Sequence, residues 1–131
     1  FGGFRVQGKD RDTAEQLLCD AQAVQDAGAF AIVLELVPTQ LAQEITSHLK
    51  IPTIGIGAGP HCSGQVQVFH DLLGLFPSFG PRHSKQYVNA GQLISDGLKH
   101  YVEDVQAGRF PTAENSSTMN EEILESIRRV Q

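Results

Sequence analysis

A chain of 131 residues, 40% hydrophobic and 19% charged, has the length and balance of one globular folding unit or a piece of one. Its formal net charge of -5 and its lack of Lys/Arg clusters argue against a nucleic-acid surface, which needs a basic stripe to neutralise phosphates. No stretch approaches the roughly 18 apolar residues of a membrane-spanning helix, and no basic region followed by an apolar core opens the chain, so a cytoplasmic protein acting on small polar molecules is expected.

In chain order, Phe1 to Lys9 is glycine-rich and polar and reads as an entering loop. It begins without methionine, which raises the expectation that something upstream has been removed or lies in another chain. Asp12 with Glu15, or Thr13 with Gln16, has the spacing of a capping box, so a helix is predicted to start there. Ala14, Leu17, Leu18, Ala21 and Val24 follow at helical spacing, and Gly28 supplies the stop. Cys19 and Cys62 are too few for a disulfide scaffold and lack metal-ligand spacing, which suits a reducing compartment.

Ala29 to Val37 is an apolar run with a single charge, Glu35, and Pro38 closes it. Period-2 geometry puts Phe30, Ile32 and Leu34 on one face and Ala31, Val33 and Glu35 on the other. The bulky face is expected under helices, the smaller face carrying the glutamate. A buried carboxylate is paired, protonated or employed, because an isolated buried charge is costly. Two readings stay open on these residues alone: an ion pair with a basic group on a neighbouring strand, or a working acid or base.

Leu41, Ala42, Ile45 and Leu49 predict a second amphipathic helix, with Lys50 near its negative pole. Thr53 to Pro60 predicts a second strand, with Ile54 and Ile56 on one face and Thr53, Gly55 and Gly57 on the other. A bare glycine face suggests close approach by a ligand, the floor of a pocket, or simply a tight strand exit. The G-x-G-x-G spacing departs from the dinucleotide fingerprint, which needs G-x-G-x-x-G opening into a helix. Gln65 to Asp71 is a third strand candidate, and Leu75 to Tyr87 reads as a loop able to act as a lid or subunit contact. Ile94, Leu98, Tyr101, Val102 and Val105 predict a helix ending at Gly108; Thr112 to Thr118 is linker-like, and Met119 to Gln131 predicts a short helix with Ile123, Leu124 and Ile127 on one side. There is no internal repeat.

This alternation indicates right-handed parallel α/β units. Three strands leave sheet edges open, so the chain is expected to need a missing half. His70-Asp71 is expected to be a strand-end histidine held by its neighbour or by a backbone carbonyl rather than an acid-base or metal pair. His48, His61, His83 and His100 are expected at the surface without a role, since none has a second ligand at suitable spacing.

Gly2-Gly3-Phe4-Arg5-Val6-Gln7-Gly8, Gly28 to Glu35, Ile51 to Pro60, Gly64-Gln65-Val66 with His70-Asp71, and Gly108-Arg109-Phe110-Pro111 together resemble the C-terminal portion of the ketopantoate hydroxymethyltransferase family, from Gly2 to about Glu114. The resemblance implies a (β/α)8 TIM barrel of the phosphoenolpyruvate/pyruvate type, of which residues 1–111 supply about the last three strands and 112–131 a tail. It implies a decameric transferase of pantothenate biosynthesis that moves a hydroxymethyl group from 5,10-methylenetetrahydrofolate to 3-methyl-2-oxobutanoate, giving 2-dehydropantoate with Mg2+ bound.

Glu35 matches the family's proton-abstracting glutamate, at the strand end where barrel enzymes place catalytic groups. Gly57, Ala58 and Gly59 are candidates for pocket lining. The resemblance places the metal ligands and the keto-acid contacts in the N-terminal portion, so no metal ligand is expected in this chain and a companion half of the barrel is the expected partner. Gln67 stands where the family usually has an apolar residue, and His83-Ser84 where it has an aromatic-aliphatic pair. Alternatives are a non-catalytic assembly or binding fragment and a different keto-acid lyase or aldolase on the same barrel.

Overall fold

The computed structural model describes residues 5–76 and 80–129. Phe1 to Phe4 of the entering segment, Pro77 to Phe79 of the expected covering loop, and Val130 and Gln131 of the expected last helix lie outside the described residues. The elements are α1 (Arg11–Asp26), β1 (Ile32–Glu35), α2 (Thr39–His48), β2 (Thr53–Ile56), β3 (Gly64–Gln65), α3 (Phe69–Leu73), α4 (Ala90–Gln106), a 3-10 turn (Ala113–Asn115) and α5 (Glu121–Arg128). They form two compact units, Phe1–Asn89 and Ala90–Gln131.

The first unit is an α/β layer structure with a small parallel sheet in the order β1-β2-β3. Helix α1 starts at least two residues earlier than its sequence spacing suggests: Asp10, not Asp12 or Thr13, is the cap, its carboxylate accepting from the Thr13 amide at 2.9 Å. Its end is as expected, with Gly28 at φ 95 just beyond the C-cap Ala27. Of the apolar stripe, Ala21 is buried and Leu17 and Leu18 pack against the core, while Val24 is 42% exposed. The core gathers Ala21, Leu34, Val37, Ala42, Ile45 and Ala58 from α1, α2 and the ends of the strands.

The register pairs Ile32 with Thr53, Leu34 with Gly55 and Glu35 with Ile56. Parallel partners share a face, so two sequence-based assignments change. Gly55 lies with buried Leu34 on the helix-covered face, whereas Ile54 and Ile56 share the open face with Val33 and Glu35. At Gly55 this face is covered rather than open: a Cβ there would sit 3.0 Å from Cys62 Sγ and from Gln65 Oε1. Thr53 on the same face is fully buried and satisfied, its hydroxyl 2.8 Å from that of Thr46 and accepting from the Ser63 amide at 3.2 Å. Phe30 is also corrected. It stands two residues before β1, outside the alternation, and is 89% exposed.

The third strand candidate shrinks to Gly64–Gln65, and His70 and Asp71 fall instead in α3, which ends at Gly74 in the left-handed region. A Cβ at Gly74 would collide with the Gln86 amide, so glycine is needed where the returning chain crosses α3. The second unit carries the long helix α4. Ile94, Leu98, Tyr101, Val102 and Val105 line it as expected but are all exposed. Beyond it Arg109 Nε meets Asp104 Oδ1 at 2.8 Å, and the Phe110 ring lies edge-on to Tyr101 at 5.7 Å. Asn120 caps α5 by accepting from the Glu122 amide at 2.8 Å.

Two outcomes follow for stability. Ile45, 1% exposed, leaves a cavity when shortened, so Ile45→Ala is expected to cost about 3 kcal/mol in urea unfolding, against less than about 0.5 kcal/mol for Phe30→Ala. Asp10 is held below the ordinary carboxylate value of 3.8, first by the Thr13 amide and then by the Thr13 hydroxyl. A depressed folded-state value means that the charged cap stabilises fully above 3.8 and loses its effect as pH falls through the lower folded-state value. Asp10→Ala should thus lower the thermal midpoint at pH 7, and melts taken into acid should show the gap to the parent closing.

Candidate active site

Glu35 is the last residue of β1, at the carboxyl end of the parallel sheet, where open α/β sheets place their ligands. The burial expected for it is absent, because its face is uncovered among the described residues and the side chain is exposed. Among those residues Glu35 makes no side-chain hydrogen bond and no ion pair, so the ion-pair reading finds no basic partner for it among them. Its carboxylate is free to meet a ligand.

The backbone beyond it explains its placement. Leu36 adopts φ 53, a left-handed conformation that costs a branched residue of the order of 1–3 kcal/mol and persists only where the surroundings hold it. Two hydrogen bonds do so. The Leu36 amide donates to the Ile56 carbonyl at 2.9 Å, and the Leu36 carbonyl accepts from the Gln7 amide, also at 2.9 Å. The reversal sends the chain at once into buried Val37 and the start of α2 at Thr39, leaving Glu35 on the rim.

The Gly57-Ala58-Gly59 segment is split by the structure. Ala58 is fully buried and belongs to the core, which corrects its assignment to a pocket wall. Gly59, at φ 78, lies tight against Thr39. Gly57, at φ 67, faces a cavity of about 510 Å3 that it lines with Gln65, Gln67, Leu72, His83 and Tyr87. A Cβ on Gly57 would fall 2.8 Å from Leu36 Cδ2 and 3.0 Å from His83 Cγ, so the residue after Glu35 and the His83 ring meet above this glycine.

His83 and Gln67 are the residues that sequence reasoning left without a role. The one signal for them was the expectation of an apolar residue at position 67 and an aromatic-aliphatic pair at 83-84. Gln67 Nε2 donates to the Lys85 carbonyl at 2.5 Å, and the Lys85 amide donates to Gln67 Oε1 at 3.0 Å. His70 and Asp71 are not bonded to each other. The His70 ring stacks on Phe76 at 5.0 Å, and both acid and imidazole line a separate cavity of about 340 Å3 with Arg82, Ser84 and Gln86. Cys19 and Cys62 are free thiols. Among the described residues no three His, Cys, Asp or Glu side chains converge to hold a metal ion, and no helix is long and apolar enough to cross a membrane.

Comparison with known proteins bears on this geometry. The profile of the ketopantoate hydroxymethyltransferase family matches residues 1–113. The chain is 61% identical over 118 residues to the 3-methyl-2-oxobutanoate hydroxymethyltransferase of Chloroflexus aggregans, covering 90% of this chain and 42% of that protein. Its identity to the enzyme of the same name from Gluconacetobacter diazotrophicus is 58% over 122 residues, 93% of this chain and 44% of the other. For that of Syntrophomonas wolfei the figures are 49% over 127 residues, 97% and 46%. The chain thus spans less than half the length of the curated relatives it matches. With its profile match running through both the Glu35 rim and the glycine segment, the chain belongs to the ketopantoate hydroxymethyltransferase family.

Proposed function

We propose that this chain supplies the C-terminal part of a hydroxymethyltransferase that moves a one-carbon unit from 5,10-methylenetetrahydrofolate to 3-methyl-2-oxobutanoate, forming 2-dehydropantoate for pantothenate synthesis, with Glu35 as the proton acceptor. The observation that carries the reading is the unpartnered Glu35 carboxylate at a strand's carboxyl end, set there by the strained Leu36. In this reading the chain provides about the last three strands of a (β/α)8 barrel of the phosphoenolpyruvate/pyruvate type. The companion half closes the β1 and β3 edges, and the whole assembles as a cytoplasmic homo-oligomer, a decamer by family likeness.

The chemistry asks little of this chain beyond a placed base. The C3–H bond of the keto acid is broken, its proton passes to a Glu35 carboxylate oxygen, and the electron pair is delocalised into the neighbouring carbonyl as an enolate. Water cleaves both C–N bonds of the methylene bridge, its oxygen staying on the one-carbon unit and its two protons passing to the two folate nitrogens; C3 forms a bond to that carbon, and the oxygen takes up the proton held by Glu35 to become the new hydroxyl. Apolar Val33, Ile54 and Ile56 share the Glu35 face and would line the keto acid's branched methyl end. Mg2+ does not fit the residues seen here, since no group of three ligating side chains converges among those described. Its ligands are expected outside this chain, and no step is drawn through it.

A second reading, a non-catalytic docking fragment, is favoured by one observation, the two open edges of the sheet. Two experiments separate and test these readings. In the complete protein, Glu35→Gln should slow exchange of the C3 proton, followed by NMR in deuterium oxide, by at least about a hundredfold; exchange at the parental rate would refute the base assignment. Mixing this chain with a polypeptide spanning the relatives' remaining length should restore exchange that neither part shows alone, whereas stable association without any exchange would favour the docking fragment.

A further inference from the structure

The segment from Gly80 to Val88 is pinned rather than loose, and the pins surround one cavity. Gln67 grips the Lys85 backbone with both ends of its amide, at 2.5 and 3.0 Å. The Tyr87 amide donates to the Leu72 carbonyl at 2.9 Å, and Ser84 closes a turn onto the Pro81 carbonyl through both its amide and its hydroxyl, each at 2.9 Å. Lys85 Nζ stands 4.9 Å from the Tyr87 ring centroid, fixing that ring from one side. His83 and Tyr87, two residues either side of Lys85, both line the cavity of about 510 Å3 beyond β2 and β3.

We propose that Gln67 is a positioning residue, holding His83 and Tyr87 as the aromatic walls of a subsite that takes the pterin ring of the folate donor. This rests on the transferase reading above and deepens it. The size is that of a small-molecule site, and a five-carbon keto acid would leave most of it empty. Its walls combine two aromatic rings with Leu72 and Val66, the composition that accepts a flat ring by stacking.

The polar groups suit a pterin edge, which offers both donors and an acceptor. The His83 imidazole offers that edge a nitrogen of either role, and Gln65, whose amide lies over Gly55 and donates to the Gly59 carbonyl at 2.8 Å, forms part of the wall. Gln67 itself lines the cavity, yet both its amide atoms are committed to Lys85, so it acts through the segment it holds. The subsite also adjoins the chemistry. His83 and Leu36 meet over Gly57, one residue past the register pair Glu35 and Ile56.

The test uses the complete protein and tetrahydrofolate as probe, with affinity measured by calorimetry. His83 is exposed, so its variants should fold. His83→Ala is expected to weaken tetrahydrofolate binding roughly tenfold, and His83→Phe to restore it to within about twofold, because stacking survives. Gln67→Ala is expected to raise KM for methylenetetrahydrofolate roughly tenfold with KM for the keto acid unmoved. Parental affinity in both His83→Ala and Gln67→Ala would overturn the subsite while leaving the transferase reading intact. Equal rises in both KM values for Gln67→Ala would overturn the positioning role. A parent protein that exchanges the C3 proton but binds no tetrahydrofolate would overturn the folate reading itself, and the subsite with it.

Discussion

The parallel pairing of β1 with β2 is the constraint on which the rest of the first unit depends. Its register decides which side chains share a face, and a shift by one residue would exchange the covered and open sets. As paired, Leu34 and Thr53 go under α2 while Val33, Ile54, Ile56 and Glu35 stay on the open side. The ladder ends at Leu36, whose left-handed turn is tolerated because Ile56 and Gln7 hold its amide and carbonyl. Glu35 owes its position to that ending, not to any bond of its own.

Much of this was legible in the chain because it is written in local chemistry. The helices announce themselves by apolar spacing and by glycines at their ends, as at Gly28 and Gly108, and the strands by apolar runs bounded by prolines. What could not be read was the phase between strands. Alternation places Gly55 opposite Ile54 within β2, but says nothing of which of them joins Glu35 across the ladder, and that question is settled only by packing. The helix start failed differently: Asp10, Asp12 and Thr13 are all competent caps, and the entering backbone selects Asp10. The third strand failed because Val66 and Val68 alternate convincingly, whereas backbone pairing stops soon after Gln65 and the chain turns into α3.

The candidate site was half legible for a related reason. Glu35 stood out as the lone charge of an apolar run, a signal carried by a single residue. Gln67 and His83 are separated in sequence and acquire meaning only when the chain returns across the strand ends. There, the two polar side chains become compatible with their surroundings. The Gln67 amide satisfies a backbone donor and acceptor that an apolar side chain would leave open, and the His83 ring lies over a glycine rather than in a core.

The contact over Gly57 has a further consequence, for inheritance. Because any Cβ there would press on both Leu36 and His83, these three positions, distant in sequence, cannot drift independently. Shortening one neighbour would leave the other in the way, and at φ 67 a side chain is strained even in open space, so position 57 is held to glycine from three directions at once.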